Sequence, residues 1–491
     1  MNNLQRQRQR RLEDHLMQDG SEQVGVNTLH KWMINQPPLP PAAPSWAASY
    51  QAFHASTRTN FAEPLVRTAA DRMTPLGFRT AAADDRNGDD MARRVWSENQ
   101  MAIEQVDVIS DMLGLRDGYT MIGEPIAGSS LPTITAEDPR QVVTAHDPIR
   151  RRIVRAAIKT YRDPYEEVDV CWVYIRGDKP TEKAQAWRAW KPAGSSPLGT
   201  PIGGLTGWVQ GTEWRWDDPV PCPTNRVPFV RFSNRKGQAE FETHLGILDR
   251  INRIVLQRML IAEMQAFRQR AVKNLPKVYP EDYPIAEMRG KPIDYAGVFA
   301  PGPGSLWMVP EGVDFWESQP IDVRPILDME KQEIRTYAAL AGMPIYMFNP
   351  DDTNGSAEGA STQRETLVFR IKDRMSIADV GWAETMSHSF EVMGDSDRAD
   401  VSRIQTIWAP IENLSLAEMW SAASQARAAG TSVATIRREI LGWSPQQMEQ
   451  AVEDDLDDLI LGRSAIQSIG QQQPVPRETP APAQPAPVPQ R

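Results

Sequence analysis

The sequence predicts an α+β chain in which a strand-rich region is framed by long helices. Two observations carry this expectation. Proline is absent from residues 229–275, and residues 351–473 hold only Pro410 and Pro445, so long uninterrupted helices fit there. Between residues 119 and 235, short β-favouring segments recur (TMIG, QVVTA, VDVCWVYIRG, AQAWRAW, GWVQGTEWRW and VPFVRF), separated by Gly, Pro and Asp clusters. That region carries six of the 15 tryptophans (Trp172, Trp187, Trp190, Trp208, Trp214 and Trp216), enough aromatic bulk for a core of its own.

Taken in order, the chain opens on MNNLQRQRQRRLEDHLMQD, which has no apolar h-region, so no secretory signal is expected at this end. Arg6, Arg8, Arg10 and Arg11 stand beside acidic residues, and a solvated arm explains them more simply than a nucleic-acid arm. Residues 37–44 (PPLPPAAP) form a stiff lead-in. Residues 45–120 read as largely helical, with apolar spacing through Phe61, Leu65, Ala69 and Met73 and a further helix from Met91 to Leu113. After the strand-rich region, a long helix is predicted from about Thr243 to Lys273, with Leu248, Ile251, Val255, Met259 and Ala262 on one face. Short strands, notably SLWMV and VDFWES, punctuate residues 275–324. A helix from Pro325 to Ala341 takes proline at its first turn, where the missing N–H costs nothing. The loop MPIYMFNPDDTNGSAEGAS follows, then a long helix from about Ala360 to Met393. The strand-like RIQTIWAPI leads into short helices from Ser415 to Leu461, and residues 474–491, with seven prolines, are expected to lack a core.

At 491 residues the chain has room for roughly three domains. Its net charge of −10 argues against a protein that wraps DNA by neutralising phosphates. Of the 54 basic residues 11 are lysine and 43 arginine; arginine forks suit phosphate and carboxylate, but a GC-rich coding sequence explains the bias more simply. No run of about 18 apolar residues is present, so no membrane span is predicted. Cys171 and Cys222 form no CxxC pair, which excludes a zinc ribbon and points to a reducing compartment. Nucleotide chemistry lacks its motifs: Arg289-Gly290-Lys291-Pro292 has neither the first glycine nor the Ser/Thr of a phosphate loop, and no GxGxxG follows a strand. Asp351-Asp352-Thr353-Asn354-Gly355 fails calcium-loop spacing and reads as a turn. No two of the six histidines (His15, His30, His54, His146, His244 and His388) stand at HxxxH spacing, there is no GxSxG elbow, and His146 reads as a turn residue at a strand end rather than a base for Cys222. The acidic run Glu449, Glu453, Asp454, Asp455, Asp457 and Asp458 reads as a solvated helix face. The expectation is therefore no catalytic residues, no metal and no cofactor.

Three segments together resemble the portal proteins of tailed bacteriophages, of the siphovirus type found in phages of actinobacteria. They are Tyr50-Gln51-Ala52-Phe53-His54 followed by NFAEPLV (60–66) and Ala70-Asp71-Arg72-Met73; VPFVRFSNR (227–235) running into LDRINRIVLQRMLIAEMQAFRQRAV; and AGMPIYMF (341–348) followed by SAEGASTQRETLVFRIKDR. The resemblance covers roughly residues 45–395, with weaker similarity to about 460. It implies a portal-type fold. After an N-terminal arm and Pro-rich lead-in (1–44) come a β-rich wing (45–242), a stem helix (243–274), a small α/β clip (275–324), a second stem helix (325–342), a tunnel loop (343–361), a long wing helix (362–395), a helical crown (396–462) and a Pro-rich tail (463–491). It further implies a homo-oligomeric ring, dodecameric in the family, at one capsid vertex of the virion, assembled in the host cytoplasm. Its expected partners are the double-stranded DNA passing through, the terminase large subunit, the major capsid protein and a head–tail connector or adaptor protein, with no membrane. The alternative is a minor head or connector protein without a DNA channel.

The physical reading agrees with this. A channel through which DNA slides should not hold phosphates in deep wells, and an acidic chain avoids that. Carried over, the resemblance places Asn349, Asp351, Asp352, Thr353, Asn354 and Ser356 in the tunnel loop, short polar residues without a cation, expected to touch DNA weakly and without sequence preference. Arg250, Arg253, Arg258, Arg268 and Arg270 admit two readings: a basic belt lining the ring, or intersubunit ion pairs with acids such as Asp328, Glu330 and Glu333 on the next helix. The second is preferred, because stem helices of opposite charge would pack closely in a ring.

Overall fold

The structure is a computed structural model describing residues 25–38, 52–53, 55–82, 88–126, 128–179, 181–192, 214–266, 270–295, 314–317, 321–348, 357–411 and 416–469. In chain order the principal elements are α1 (Val26–Met33), α2 (Ala62–Ala70), β1 (Pro75–Arg79), α3 (Asp90–Glu98), α4 (Met101–Gly114), β2 (Asp117–Gly123), β3 (Thr133–Glu137), β4 (Val142–His146), β5 (Val154–Asp163), β6 (Val168–Ile175), β7 (Gln185–Pro192), β8 (Arg215–Trp216), β9 (Val220–Pro221), β10 (Phe229–Ser233), α5 (Leu245–Ala266), β11 (Arg270–Lys273), β12 (Asp314–Glu317), α6 (Arg324–Leu340), α7 (Ala357–Met393), β13 (Gln405–Trp408), α8 (Leu416–Ala428) and α9 (Pro445–Ile469). Helix and sheet are thus mixed, as the sequence predicts. None of the described helices is long and apolar enough to cross a membrane.

The chain divides into two compact units: Met1–Asp71, Asp107–Thr120 and Ala136–Ala378 form the first, and Arg72–Val106, Met121–Thr135 and Asp379–Arg491 the second. The first contains an antiparallel sheet of order β4-β5-β6-β7-β8, with β9 also pairing β7. Alternation along β5, β6 and β7 sends Ala156, Ile158, Cys171, Val173, Ile175, Trp187 and Ala189 to one face, where they form a buried cluster with Trp214 against it. β5 was not foreseen, because Arg155, Lys159 and Arg162 interrupt its apolar pattern. The fold accommodates those charges locally: Lys159 Nζ lies 2.7 Å from a Glu137 carboxylate oxygen and Arg162 Nε 2.8 Å from Asp169 Oδ1. Cys171 and Cys222 are buried and form no disulfide. His146 caps the β4–β5 turn: its Nδ1 lies 2.7 Å from the Arg151 carbonyl and its Nε2 3.0 Å from Thr144 Oγ1. Burial, with Arg231 nearby, lowers its pKa.

The predicted helix over residues 243–273 is shorter in the structure. α5 ends at Ala266, and Arg270–Lys273 is a strand antiparallel to β12. The register sets Arg270 opposite Glu317 and Lys273 opposite Asp314, with Ala271 and Val272 opposite Trp316 and Phe315. The β-favouring Val272, Phe315 and Trp316 in these two segments suit a ladder better than a continued helix. Asn274, at φ 60°, turns the chain away from it. The other predicted strand of this segment, SLWMV, lies outside the described residues.

In the second unit, β1 pairs antiparallel with β13, from Pro75↔Trp408 to Arg79↔Gln405. Residues 73–79 are therefore not helical as expected; their strand partner lies more than 300 residues on, beyond any local pattern. The helix expected over Met91–Leu113 is two helices. Asn99 breaks it, donating from Nδ2 to Val95 O (2.8 Å) and Pro132 O (2.9 Å) and accepting at Oδ1 from Ile134 N (2.8 Å), with Gln100 left-handed at φ 53°. Asp89 caps α3: its carboxylate accepts from Met91 N (2.7 Å), Ala92 N (3.1 Å), Thr80 Oγ1 (2.6 Å) and Arg398 Nε (2.7 Å). Trp96 packs tilted on Phe78 and edge-on to Trp382, at centroid spacings of 5.1 and 5.0 Å, and Met386 and Phe390 are buried.

Candidate functional site

The sequence expected its singled-out residues on two helices and one loop. α5 buries Ile247, Leu248, Ile251, Ile254, Val255 and Leu256. The apolar stripe predicted for it holds over its first half only; Met259 and Ala262 are exposed. α6 packs against α5, with Pro325 in its first turn. The sequence set these arginines against the acids of the next helix between subunits; in the structure two such pairs form within one chain instead: Arg250 Nη2 reaches Glu333 Oε2 at 2.8 Å, and Arg258 Nη1 reaches Glu330 Oε2 at 3.0 Å. Arg253 pairs along its own helix with Asp249 at 2.8 Å. Asp328 is exposed and has no ion pair among the described residues. Arg268 lies outside the described residues, and Arg270 sits on β11 rather than on the helix. Asn349, Asp351, Asp352, Thr353, Asn354 and Ser356 all lie outside the described residues.

The tightest charged constellation is one that residue spacing does not show. Just before α5, Glu240 is buried and accepts hydrogen bonds from three side chains. Arg370 binds its Oε2, Arg374 Nε its Oε1 at 2.5 Å, and Asn234 Nδ2 the same oxygen at 3.0 Å. Burial alone would raise the Glu240 pKa; Arg370 and Arg374 outweigh it and hold the carboxyl below its ordinary range. Arg370 also donates to the Ala341 carbonyl, at the turn after α6 where Gly342 takes φ 64°. Arg235 forks onto Asp373, and Arg116 makes a bidentate pair with Glu242 at 2.7 and 3.0 Å. Glu242 Oε2 in turn accepts from Ala239 N at 3.0 Å.

One turn further into this unit, Tyr337 is fully buried and donates its hydroxyl to the Phe61 carbonyl at 2.9 Å. Phe61, Phe348 and His244 ring it at centroid distances of 6.5, 5.5 and 5.9 Å. Asn252 Oδ1 accepts from Thr59 N at 2.9 Å, fastening α5 to the segment before α2. The start of α5, the end of α6 and residues 370–374 of α7 are thus locked by a charge network and an aromatic cluster at adjacent levels. The chemistry available is cohesive. The carboxylates are matched to guanidinium groups, and no group of three His, Cys, Asp or Glu side chains among the described residues is placed to hold a metal ion. A groove of ≈ 350 Å³ beside this network is lined by Arg235, Lys236, Glu240, His244, Arg370 and Arg374.

Comparison with known proteins places these elements in a family context. The family model described as "Phage portal protein, SPP1 Gp6-like" matches residues 48–455. No curated protein is matched significantly. Among solved structures, a chain of "Neck of empty GTA particle computed with C6 symmetry" is similar at 12% identity and TM-score 0.43, covering 85% of this chain and 99% of that one. A chain of "Virion of native gene transfer agent (GTA) particle" is similar at 12% identity and TM-score 0.40 over the same shares.

Proposed function

The chain belongs to the SPP1 Gp6-like phage portal protein family, and we propose that it forms a homo-oligomeric ring, of twelve copies in the virion, through which double-stranded DNA enters and leaves the capsid. The observation that carries this reading is the family match across residues 48–455, which includes both helices α5 and α6, the intervening strands and the loop before α7.

In this reading the strand-rich region is the wing, α5 and α6 are the stem, and the β11–β12 segment is the clip that the terminase large subunit and later the connector or adaptor protein contact. The loop over 343–361 reaches the channel with Asn349, Asp351, Asp352, Thr353, Asn354 and Ser356, and α8 and α9 belong to the crown. The ring sits at one vertex among copies of the major capsid protein, and the role is structural rather than enzymatic. The charge arithmetic supports a sliding channel: at −10 per chain, a closed ring repels the phosphate backbone on balance. The Glu240 network supports it as well, because a stem under load needs its helix ends fixed by matched, buried charge.

The in-chain pairs Arg250–Glu333 and Arg258–Glu330 use up part of the charge assigned to intersubunit bridges. Asp328, and Arg253 where it is exposed beside its in-helix partner Asp249, are the charges left for that contact, together with the exposed Met259 and Met329 on the same two helices. The deciding measurement is negative-stain electron microscopy of the purified full chain. Rings with a central hole wide enough for duplex DNA are expected. Discrete small oligomers without a hole would overturn the reading.

A further inference from the structure

Two turns at opposite ends of β5 share one design with opposite charge. The turn between β4 and β5 reads Asp147-Pro148-Ile149-Arg150-Arg151-Arg152, and the turn between β5 and β6 reads Asp163-Pro164-Tyr165-Glu166-Glu167. In each, the leading aspartate accepts from the backbone two and three residues on. Asp147 Oδ1 accepts from Ile149 N and Arg150 N, both at 2.8 Å; Asp163 Oδ1 accepts from Tyr165 N at 2.8 Å and Glu166 N at 3.1 Å. This lock holds the apolar residue outward with its charged neighbours behind it.

Those apolar residues are the most exposed large hydrophobics among the described residues: Ile149 is 89% exposed and Tyr165 96%. A single exposed apolar side chain needs no explanation, but two held out by the same turn chemistry on one strand do. Arg150, Arg151 and Arg152 are exposed and have no ion pair among the described residues. At the other tip Glu166 is half-exposed on Arg188 at 2.9 Å, and Glu167, at φ 52°, has no ion pair among the described residues. The ten residues of β5 separate the tips by about 30 Å, so they cannot meet within one chain.

We propose that the two tips are the two halves of one head-to-tail contact between copies of this chain, the Ile149–Arg152 tip of one copy seating on the Tyr165–Glu167 tip of the next. The contact rests on the ring reading above. It joins two different surfaces, so it propagates from copy to copy and closes only as a ring, unlike a two-fold contact that pairs a surface with itself. Charge complementarity selects the order: basic against basic and acidic against acidic are both repelled, leaving one arrangement. Tyr165 supplies an aromatic anchor whose aliphatic counterpart is Ile149, with arginines beside it to pack on its ring.

The test is disulfide trapping in the full chain, where the native Cys171 and Cys222 are buried. A chain carrying both Ile149→Cys and Tyr165→Cys, mildly oxidised at low salt, is expected to give a ladder of multimers beyond the dimer on a non-reducing gel. Either cysteine alone should give none. Adding Arg150→Glu, Arg151→Glu and Arg152→Glu should abolish the ladder, and Glu166→Arg with Glu167→Arg in the same chain should restore it. Salt should weaken it, because both tips are exposed. If the double-cysteine chain stays monomeric on the gel while unoxidised protein forms rings in the microscope, the tip contact is overturned and the ring stands. If neither a ladder nor rings form, both fail. Dimers from a single cysteine would mean like tips meet, which overturns the proposed order. A triple arginine variant that keeps its ladder but loses retention of a DNA duplex in a gel shift would assign the basic tip to nucleic acid instead.

Discussion

The charges at Glu240 and the charges between α5 and α6 are made from the same residue types and lie in the same unit, yet they are built for different work. Glu240 keeps 3% of its side-chain surface and holds Arg370 and Arg374, which keep 18% and 15%. Arg250 keeps 55% where it meets Glu333. In the first case water cannot replace a lost partner; in the second it can. The cost of losing a partner here follows what surrounds the pair, so breaking the buried clasp is expensive while breaking the exposed Arg250–Glu333 pair is cheap.

The sharpest break of that comparison is Glu240→Ala. It leaves two guanidinium groups half-buried against each other and should cost about 3–5 kcal/mol in chemical denaturation, in line with removing one partner of a buried ionic network. A cost below about 1 kcal/mol would mean that water reaches the clasp. The same carboxyl predicts a pH response. Its pKa lies below the ordinary 4.5, so its stabilisation is complete above pH 4.5 and is lost as pH falls through the lower folded value. The thermal midpoint should therefore drop on acidification, and Glu240→Gln should flatten that part of the profile. Next in size, Tyr337→Phe removes only the hydroxyl bond to Phe61 O and strands a carbonyl, for about 1 kcal/mol, with the aromatic cluster intact. Smallest, Glu333→Gln should change stability by less than about 1 kcal/mol, and that difference should vanish in high salt.

Much of this protein was legible one segment at a time. Proline-free stretches located α5 and α7, Pro325 marked the start of α6, and β-favouring segments between Gly, Pro and Asp clusters located β4, β6, β7 and β10. The arginines of α5 and the acids of α6 were recognisable as charge-matched, but the expectation set them between subunits, whereas Arg250–Glu333 and Arg258–Glu330 form within one chain. Glu240, Arg370 and Arg374 were not recognisable, because about 130 residues separate the carboxylate from its partners and nothing local distinguishes it from a surface glutamate. A weak hint was available: Arg370, Asp373 and Arg374 stand at helical spacing on α7, in a charged run that also holds Lys372. β5 was missed for the converse reason, since its own charges hid a strand that its neighbours neutralise.

The sequence by itself determined the helix and strand inventory where a local period exists, the acidic balance of the chain and the ordered set of segments that marks its family. The tertiary structure alone decided that Arg270–Lys273 leaves the helix for a ladder with Asp314–Glu317, that Pro75–Arg79 is a strand of Gln405–Trp408, and that Glu240 is buried among arginines. The physical reason is common to all three. Periodicity and capping act over a few residues, whereas strand pairing and the desolvation of a charge depend on which distant segment arrives to complete them.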